Sequence, residues 1–418
     1  MYSTVRLASD PLPQANPLVG FDLDPAHRAI IARVTALATD RFAPRAADYD
    51  REARFPAEDF VDLHEAGLLA AAIPLAFGGL GLEPHRGDPF ALWMVTKELA
   101  KADLSLARCW EGHANAMTLI DGAGNETQKR RWFAGVLERG ETWACWSGEP
   151  QTRVPGQARR YGTTVERTSG GYIVNGTKVF ATGAGGVTRA VLLVSTAGPG
   201  AARHGTGVAD ALLMLACDLP HPGVRFDARW WDPVGMRGTA SHLAHFDNVF
   251  IPDENQIGAG GAFFAGHWQT RFTPQYAASF LGAAEAAFDY ALNALSAPDR
   301  RADPYIQHRV GHMAIAIETA HLWLHRVARL WTAGEAEAAR LAGARARYLI
   351  EHLAEEVVSH CIRACGARSL IKPSPVERIY RDLGFYLRHD SDDQVLATIG
   401  RGVLGEEIDT SFFRSTRG

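Results

Sequence analysis

Two pairs of side chains in the C-terminal third have a spacing that could bind a metal ion. Glu318 and His321 form a Glu-x-x-His pair, and His308 and His312 lie four residues apart. On a helix, each pair would share one face. A di-iron centre in a helical bundle needs a second Glu-x-x-His pair and further glutamates in register. The sequence offers no such partner, so we expect no metal at these residues.

A glycine-rich segment could serve a second kind of chemistry, the binding of phosphate. Gly78, Gly79 and Gly81 form a Gly-Gly-x-Gly pattern. In a dinucleotide-binding unit such glycines follow a strand and open a helix. Here no strand signal precedes them and no helix cap follows. We therefore interpret the segment as a tight turn.

The spacing of apolar residues divides the chain into three domains that must position any site. Residues 1–141 have the helical periodicity of three and four, which predicts an α-helical domain. Residues 142–262 change to short apolar runs, with a hairpin signal at Asn175-Gly176, and predict a β-domain. Residues 263–418 return to long amphipathic segments that suit a four-helix bundle. The predicted fold is mainly α with a central β-domain.

Composition excludes several classes of protein. The 43 basic and 47 acidic residues are well mixed and give a formal charge of −4, so the chain lacks the electrostatic footprint of a nucleic-acid or membrane-surface binder. Five cysteines without a Cys-x-x-Cys pair indicate neither a disulfide framework nor a zinc site. Signal-peptide and membrane-spanning patterns are missing. We expect a cytoplasmic protein with a small-molecule substrate.

Four motifs, in a fixed order that covers nearly the whole chain, resemble those of the acyl-CoA dehydrogenase superfamily. They are Phe77-Gly-Gly-Leu-Gly-Leu82, Val174-Asn-Gly-Thr-Lys-Val-Phe-Ala-Thr182, the segment from Arg237 to Pro252 that ends in Asp-Asn-Val-Phe-Ile-Pro, and Glu377-Arg-Ile-Tyr-Arg-Asp382. The resemblance implies an N-terminal helical domain, a β-barrel-like middle domain and a C-terminal four-helix bundle. It also implies a flavin cofactor and assembly into a homotetramer or homodimer.

The resemblance further implies which side chains contact the flavin ring. A hydrogen-bond donor and an aromatic wall are needed there, because they set the redox poise of the ring. The matching residues in the β-domain are Ser147, Phe180, Ala181 and Thr182. One extra residue follows Ser147 relative to the family's hydroxyl-Glu-Pro pattern, so Trp146 is an alternative to Ser147.

The family's contacts to the adenylate half of FAD are altered in this sequence. Its Arg-x-x-Phe-Gly becomes Arg301-Ala-Asp-Pro-Tyr305, and its Gly-Gly-x-Gly becomes Cys365-Gly-Ala-Arg-Ser369. A smaller or differently held flavin, FMN or FAD, is therefore expected. Arg301 and Arg368 are the candidates to bind its phosphate, and solvated surface arginines are the alternative interpretation.

Two reactions of the superfamily assign different roles to His389-Asp390. Its dehydrogenases remove the α-proton of an acyl thioester with a glutamate, and Asp390 lies roughly where that glutamate is missing. Its monooxygenases, which accept reduced flavin from a separate reductase, carry a His-Asp pair followed by Ile-Gly, as in Ile399-Gly400. They often add a histidine on an N-terminal helix, for which His113 is the candidate. Histidines with a pKa of about 6.5 can hold the required proton.

The sequence thus predicts a flavin-dependent oxidoreductase. The favoured hypothesis is a two-component monooxygenase acting on a small sulfur- or nitrogen-containing substrate, with His389, Asp390 and His113 as catalytic residues. The alternative is an acyl-CoA dehydrogenase that uses FAD on an atypical thioester, with Asp390 as the base. The third hypothesis is a flavoprotein without catalytic activity. In that case His389 and His113 would be packing residues.

Overall fold

The computed structural model describes residues 20–84, 87–150, 162–196, 212–389 and 392–406. In its N-terminal part, helices account for most residues: α1 (Pro25–Leu37), α2 (Ala43–Glu52), α3 (Ala57–Glu65), α4 (Pro89–Ala102), α5 (Leu104–Ala123) and α6 (Glu126–Arg139). Helices α4 and α5 are almost wholly buried and form the core of this domain. The predicted fold class, mainly α with a central β-domain, is confirmed.

Helices α4 and α5 begin at aspartates that fix their direction. The Asp88 side chain accepts the N–H of Phe90, and the Asp103 side chain accepts the N–H of Ser105. Each aspartate satisfies a backbone donor that would otherwise lack a partner at the helix start. Helix α5 then runs against the β-domain, where a Cβ placed on Gly112 would lie 3.6 Å from the Ala144 Cα.

The glycine segment is a tight turn, as predicted. Gly78 and Gly81 have φ angles of +87° and +71°, which favour glycine. The N–H of Gly81 donates to the carbonyl of Ile73, and that of Leu82 donates to the carbonyl of Ala71. These donors are therefore occupied within the turn and do not form a phosphate cradle.

The middle domain is a seven-stranded sheet in the described part of the chain. Its strands are β1 (Trp143–Trp146), β2 (Thr164–Thr168), β3 (Gly171–Ala181), β4 (Arg189–Thr196), β5 (Leu212–Asp218), β6 (Val224–Asp227) and β7 (His242–Pro252). The order across the sheet is β1-β4-β2-β3-β7-β6, and β5 pairs with β4 over nearly its whole length, from Arg189 to Ser195. Strand β4 is parallel to β1 and β2, and all other pairs are antiparallel.

The predicted hairpin at Asn175-Gly176 is wrong. Strand β3 continues through these residues, and its register to β7 shifts between Val174 and Gly176. The turn lies earlier, since Thr168 pairs with Gly171 in the β2–β3 hairpin. Gly176 is needed for close approach, because a Cβ there would lie 2.6 Å from the Thr163 Cα. An Asn-Gly pair suits a bulge as well as a turn.

The C-terminal part is helical again and packs as a bundle. Its helices are α7 (Ala262–Ala265), α8 (Trp268–Ala294), α9 (Pro298–Ala302), α10 (Pro304–Thr332), α11 (Ala336–Cys365), α12 (Pro375–Tyr386) and α13 (Asp392–Val403). Helix α8 packs against α10 and α11 and also against α4. This arrangement joins the bundle to the N-terminal domain. None of the helices in the described residues is long and apolar enough to cross a bilayer.

Two of the sequence motifs meet where α12 docks on the β-domain. The Asp382 carboxylate accepts the N–H of Met236 at 2.5 Å, and the Arg381 guanidinium donates to the carbonyl of Val234 at 2.9 Å. A Cβ on Gly235 would lie 2.2 Å from the Arg381 carbonyl oxygen. Arg381 also pairs with Asp50 at 2.7 Å. The end of α12 is thus fixed to both other domains.

Candidate active site

Three hydroxyl side chains line up where β3 ends and β7 begins. The Ser241 Oγ donates to the Thr182 Oγ1 at 3.0 Å, and it lies 2.7 Å from the Thr239 Oγ1. The Thr239 hydroxyl donates to the carbonyl of Met236 at 2.9 Å. Because Thr182 accepts a hydrogen bond from Ser241, its own hydroxyl hydrogen can be donated to a ligand.

An aromatic corner lies beside this hydroxyl row. The Phe180 side chain is 53% exposed, and its ring centre lies 5.1 Å from that of Trp230 and 6.2 Å from that of Trp231. Phe180 has a φ of +51°, a left-handed conformation that costs a bulky residue about 1–3 kcal/mol. Such strain is typical of binding sites. The exposed ring offers an apolar wall to a flat ligand.

Ser147 follows β1 and is exposed beside β3. The next residue fixes its place, since the carbonyl of Gly148 accepts the N–H of Val179 at 3.2 Å and a Cβ on Gly148 would lie 2.5 Å from the Val179 carbonyl oxygen. The alternative, Trp146, is buried and its indole N–H donates to the carbonyl of Thr182 at 3.0 Å. The geometry therefore favours Ser147 over Trp146 as a ligand contact.

A buried ion pair supports the same edge of the sheet. Lys178 pairs with Glu149 and donates to the carbonyl of Leu193 at 2.6 Å. Burial lowers the pKa of Lys178 to about 8, although Glu149 opposes that shift. The Asn-Gly-Thr-Lys motif and the Glu-Pro motif thus meet through this pair.

These residues fit the flat ring of a flavin. Thr182 supplies a hydroxyl donor, Ser147 supplies a second exposed hydroxyl, and Phe180 supplies an aromatic wall. Ala181 is fully buried, and its carbonyl accepts the N–H of Ala184 at 3.0 Å. A flavin needs this combination of donors and apolar surface around its ring.

A polar cluster that the sequence analysis missed lies on the other side of the site. The Glu111 carboxylate on α5 is fully buried and accepts hydrogen bonds from Ser279 on α8, Tyr386 on α12, and the Arg108 Nη1 at 3.2 Å. Burial raises the pKa of Glu111, and Arg108 opposes that shift. The signal in the sequence was a pair of opposite charges three residues apart in an otherwise apolar helix.

His389 belongs to the same cluster. Its ring centre lies 5.3 Å from that of Tyr276 and 6.0 Å from that of Tyr386. The Arg108 guanidinium lies 5.5 Å and 5.7 Å from the same two ring centres. His389 is exposed at the end of the short turn that follows α12. The catalytic candidate Asp390 lies outside the described residues.

His113 is placed differently from the other candidates. It is fully buried, its Nε2 lies 2.9 Å from the carbonyl oxygen of Leu69, and its Nδ1 accepts the N–H of Trp143 at 3.2 Å. Burial lowers the pKa of His113 to about 4. Both ring nitrogens therefore have backbone partners, and the contacts give His113 a structural role between α5 and β1.

The two halves of the site are adjacent. The thiol of Cys109, the residue after Arg108, lies 3.8 Å from the carbonyl oxygen of Thr239 in the hydroxyl row. The rings of Trp231 and Phe385, the residue before Tyr386, have centres 5.8 Å apart. All three domains thus contribute to one site.

The candidate phosphate ligands lie at one end of the bundle. Arg301 on α9 and Arg368 after α11 are both exposed. Arg300 donates to the carbonyl of Ala364 at 2.7 Å, which ties α9 to the end of α11. Within the described residues, neither the Arg301 nor the Arg368 guanidinium has an ion-pair partner.

The fold places Glu318 and His321, the pair with metal-binding spacing, in different environments. Glu318 is exposed, whereas His321 is buried and its Nε2 lies 2.7 Å from the Glu285 carboxylate. Glu285 also pairs with Lys97 at 3.0 Å. Among the residues that the structure describes, no three His, Cys, Asp or Glu side chains are placed to hold a metal ion.

The fold and the site define a three-domain flavin-dependent oxidoreductase. Sequence profiles agree: those of the N-terminal, middle and C-terminal domains of acyl-CoA dehydrogenase match residues 24–140, 144–249 and 275–393. The chain belongs to the acyl-CoA dehydrogenase superfamily, as the motifs indicated.

Similar proteins include members with both kinds of chemistry. Cyclohex-1-ene-1-carbonyl-CoA dehydrogenase of Geobacter metallireducens is 28% identical over 383 residues, which cover 89% of this chain and 96% of that protein. Dibenzothiophene monooxygenase of Mycolicibacterium goodii is 25% identical over 406 residues, 90% of this chain and 94% of that protein. The structure of FMN-bound TdsC from Paenibacillus sp. A11-2 matches with a TM-score of 0.81 at 23% identity, covering 92% of this chain and all of that one (100%).

Proposed function

We propose that the protein is a two-component monooxygenase that receives reduced flavin from a separate reductase and oxygenates a small organic substrate. The proposal is based on the identity of the side chain that is exposed just after α12. There the exposed group is the His389 imidazole, whereas both oxygens of the nearby Glu111 carboxylate already accept hydrogen bonds. A histidine suits the holding of a proton near neutral pH, whereas the Glu111 carboxylate is buried and already accepts three hydrogen bonds, which makes it a poor general base.

The roles of the remaining residues follow from their placement. Thr182 and Ser147 bind the polar edge of the flavin ring, and Phe180 covers its face. When bound, the flavin supplies two electrons, so that one atom of O₂ enters the substrate and the other leaves as water. His389 holds a proton on its imidazole, and Tyr276 and Tyr386 orient that ring. Asp390, the next residue in the sequence, is a further catalytic candidate and would influence how His389 holds its proton.

The flavin phosphate is proposed to bind at Arg301 and Arg368. Both guanidinium groups are exposed at the same end of the bundle, as a phosphate site requires. FMN carries one such phosphate and needs no adenylate contacts, so it is the favoured form over FAD. The FMN-bound state of TdsC supports this choice.

The proposal includes a homo-oligomer in the cytoplasm. Ile315 and Leu322 on α10 are 67% and 54% exposed, and they lie seven residues apart on one helical face. Two exposed apolar side chains on one face of a bundle helix favour an interface between copies of the chain. A homotetramer or a homodimer would cover them.

An acyl-CoA dehydrogenase with FAD is the second candidate function. The identity to cyclohex-1-ene-1-carbonyl-CoA dehydrogenase, over 89% of this chain, favours it. In that case Asp390 would remove the α-proton of an atypical thioester while a hydride leaves to the flavin. Asp390 would then be the essential residue, and His389 would contribute little to the reaction.

One experiment separates the two functions. Purified protein loaded with FAD or FMN is mixed anaerobically with a panel of acyl-CoAs, and the flavin absorbance is recorded. A monooxygenase leaves the flavin oxidised with every thioester. The same protein, given a flavin reductase, NADH and O₂, should oxygenate members of a panel of thiophenes, indoles and organic sulfur compounds. Bleaching by a thioester together with failure of every oxygenation would overturn the proposal.

A further inference from the structure

Helix α5 carries one polar face in an otherwise apolar and buried segment. Arg108, Glu111 and Asn115 lie three and four residues apart, so their side chains leave the helix in similar directions. The Asn115 side chain is 4% exposed, and its Oδ1 has no hydrogen-bond partner among the described residues. Polar groups buried in this way normally have partners. The face therefore has hydrogen-bonding capacity beyond what the described residues use.

Arg108 is the charged group on this face with donors to spare. Its Nη1 donates to the Glu111 carboxylate at 3.2 Å, and this is the one hydrogen bond that Arg108 makes to a side chain in the described part of the chain. A guanidinium has several further N–H donors in a planar fork. Glu111 can satisfy only part of this capacity, because Ser279 and Tyr386 also donate to its two oxygens.

The position of Arg108 is that of a ligand contact. It lies among α5, α8 and α12, yet its side chain keeps 16% of its accessible surface. The Arg108 guanidinium carbon lies over the rings of Tyr276 and Tyr386, 5.5 Å and 5.7 Å from their centres, as in a cation–π contact. Burial alone would lower the pKa of Arg108, but Tyr386 and Glu111 raise it, so the group stays charged.

We propose that Arg108 binds the anionic group of the substrate, which makes the substrate class a small organic acid with a carboxylate or another two-oxygen anion. This inference rests on the proposed function. A planar fork of N–H donors matches two oxygens of one group. Since Arg108 and His389 lie on the same two tyrosine rings, an acid held by Arg108 would extend its neutral part toward His389. Arg108 is thus a specificity-determining residue.

The test compares carboxylates with carboxamides of the same shape. Benzoate with benzamide, and indole-3-acetate with indole-3-acetamide, are titrated into the FMN-loaded protein, and binding is followed by ligand-observed NMR. We expect at least one carboxylate to bind about tenfold or more tightly than its amide, because hydrogen bonds to a charged group are the stronger ones. Arg108→Gln should abolish that preference, because it weakens carboxylate binding far more than amide binding.

Two further variants serve as controls for this test. Arg271→Gln is the matched control, because the Arg271 guanidinium also lies against an aromatic ring, that of Trp331 on α10 at 4.7 Å, and not against the rings that hold Arg108 in the cluster around Glu111, the α5 cluster. It should keep the carboxylate preference. Arg108→Gln leaves Glu111 buried without its cation, so the double variant Arg108→Gln, Glu111→Gln removes both charges and serves if the single variant fails to fold.

The outcomes separate this inference from the proposed function. Equal binding of each carboxylate and its amide, or binding of neither, overturns the role of Arg108, as does a preference that survives in the folded Arg108→Gln variant. Flavin binding and oxygenation of neutral substrates are measured in the same samples. Normal oxygenation without any carboxylate preference would refute only the inference. A carboxylate preference without oxygenation would refute the monooxygenase and leave Arg108 as an acid-binding residue.

Discussion

At the scale of single residues, the site contains some residues that belong to one sequence motif and others that come together only in the folded protein. Thr182 and Phe180 lie in one continuous segment at the end of β3, and the resemblance of that segment placed them together. Glu111 and Tyr386 are 275 positions apart, and Glu111 and Ser279 are 168 apart. No local pattern contains such contacts, because they depend on how three helices pack. The α5 cluster could therefore not be predicted from the sequence.

Thr182→Val should weaken flavin binding. The substitution keeps the shape of the side chain and removes a hydroxyl donor worth about 0.5–1.5 kcal/mol, which corresponds to a loss of affinity of roughly two- to twelvefold. Fluorescence quenching of FMN or FAD measures the change. Thr168→Val is the control, since Thr168 is an exposed strand residue away from the hydroxyl row. Equal affinities of all three proteins would remove Thr182 from the site.

His389→Ala and Asp390→Asn distinguish the two reactions. In a monooxygenase, loss of His389 should uncouple the enzyme, so that flavin oxidation continues and hydrogen peroxide replaces the oxygenated product, while Asp390→Asn is the milder change. In a dehydrogenase, Asp390→Asn should slow flavin reduction by thioester about 10²–10⁴-fold, as expected for loss of a general base. His352→Ala is the control, because His352 also lies against a tyrosine ring, at 4.2 Å on α11. Wild-type behaviour of both test variants in both assays would contradict both mechanisms.

At the scale of elements, the period of the apolar residues predicted the order of helical, β and helical segments well, because each element must bury one face. Local propensity failed at Asn175-Gly176, where the backbone of Thr163 passes close to Gly176 and uses the glycine for space. The docking of α12 could not be predicted either. It depends on Arg381 reaching Asp50, a residue from the other end of the chain.

Arg381→Met should loosen α12 and disturb the site that follows it. The Arg381 pairs with Asp50 and Glu377 are largely shielded from solvent, with Asp50 itself buried, so we expect a loss of about 1–3 kcal/mol of unfolding free energy and faster proteolysis near α12. Arg388→Met removes an exposed pair with Glu355 and should cost less than about 1 kcal/mol. Urea unfolding measures both variants. Equal stability of the two would contradict the docking role of Arg381.

At the scale of the whole molecule, the exposed apolar face of α10 makes the assembly testable. Ile315→Asp combined with Leu322→Asp places two charges on the proposed interface, where burial without partners is costly. Light scattering should then report a smaller species than the wild-type homo-oligomer. Val61→Asp changes an exposed apolar residue on α3 and should leave the mass unchanged. A monomeric wild-type protein would contradict the proposed assembly outright.

The burial of His113 makes the junction of the first two domains sensitive to acid. A histidine whose pKa falls to about 4 in the folded protein stays neutral there, while the unfolded chain takes up a proton below a pKa of about 6.5. Stability therefore falls as the pH drops from about 6.5 to 4, by about 1.4 kcal/mol per pH unit for this one group. Replacing His113 by Gln, which keeps an N–H donor for Leu69, should flatten that part of the pH profile of urea unfolding. An unchanged slope would show that another group senses the acid. Once the pH falls below about 4, protonated His113 can no longer accept the Trp143 N–H, so acid should weaken the contact between α5 and β1 in the folded protein as well.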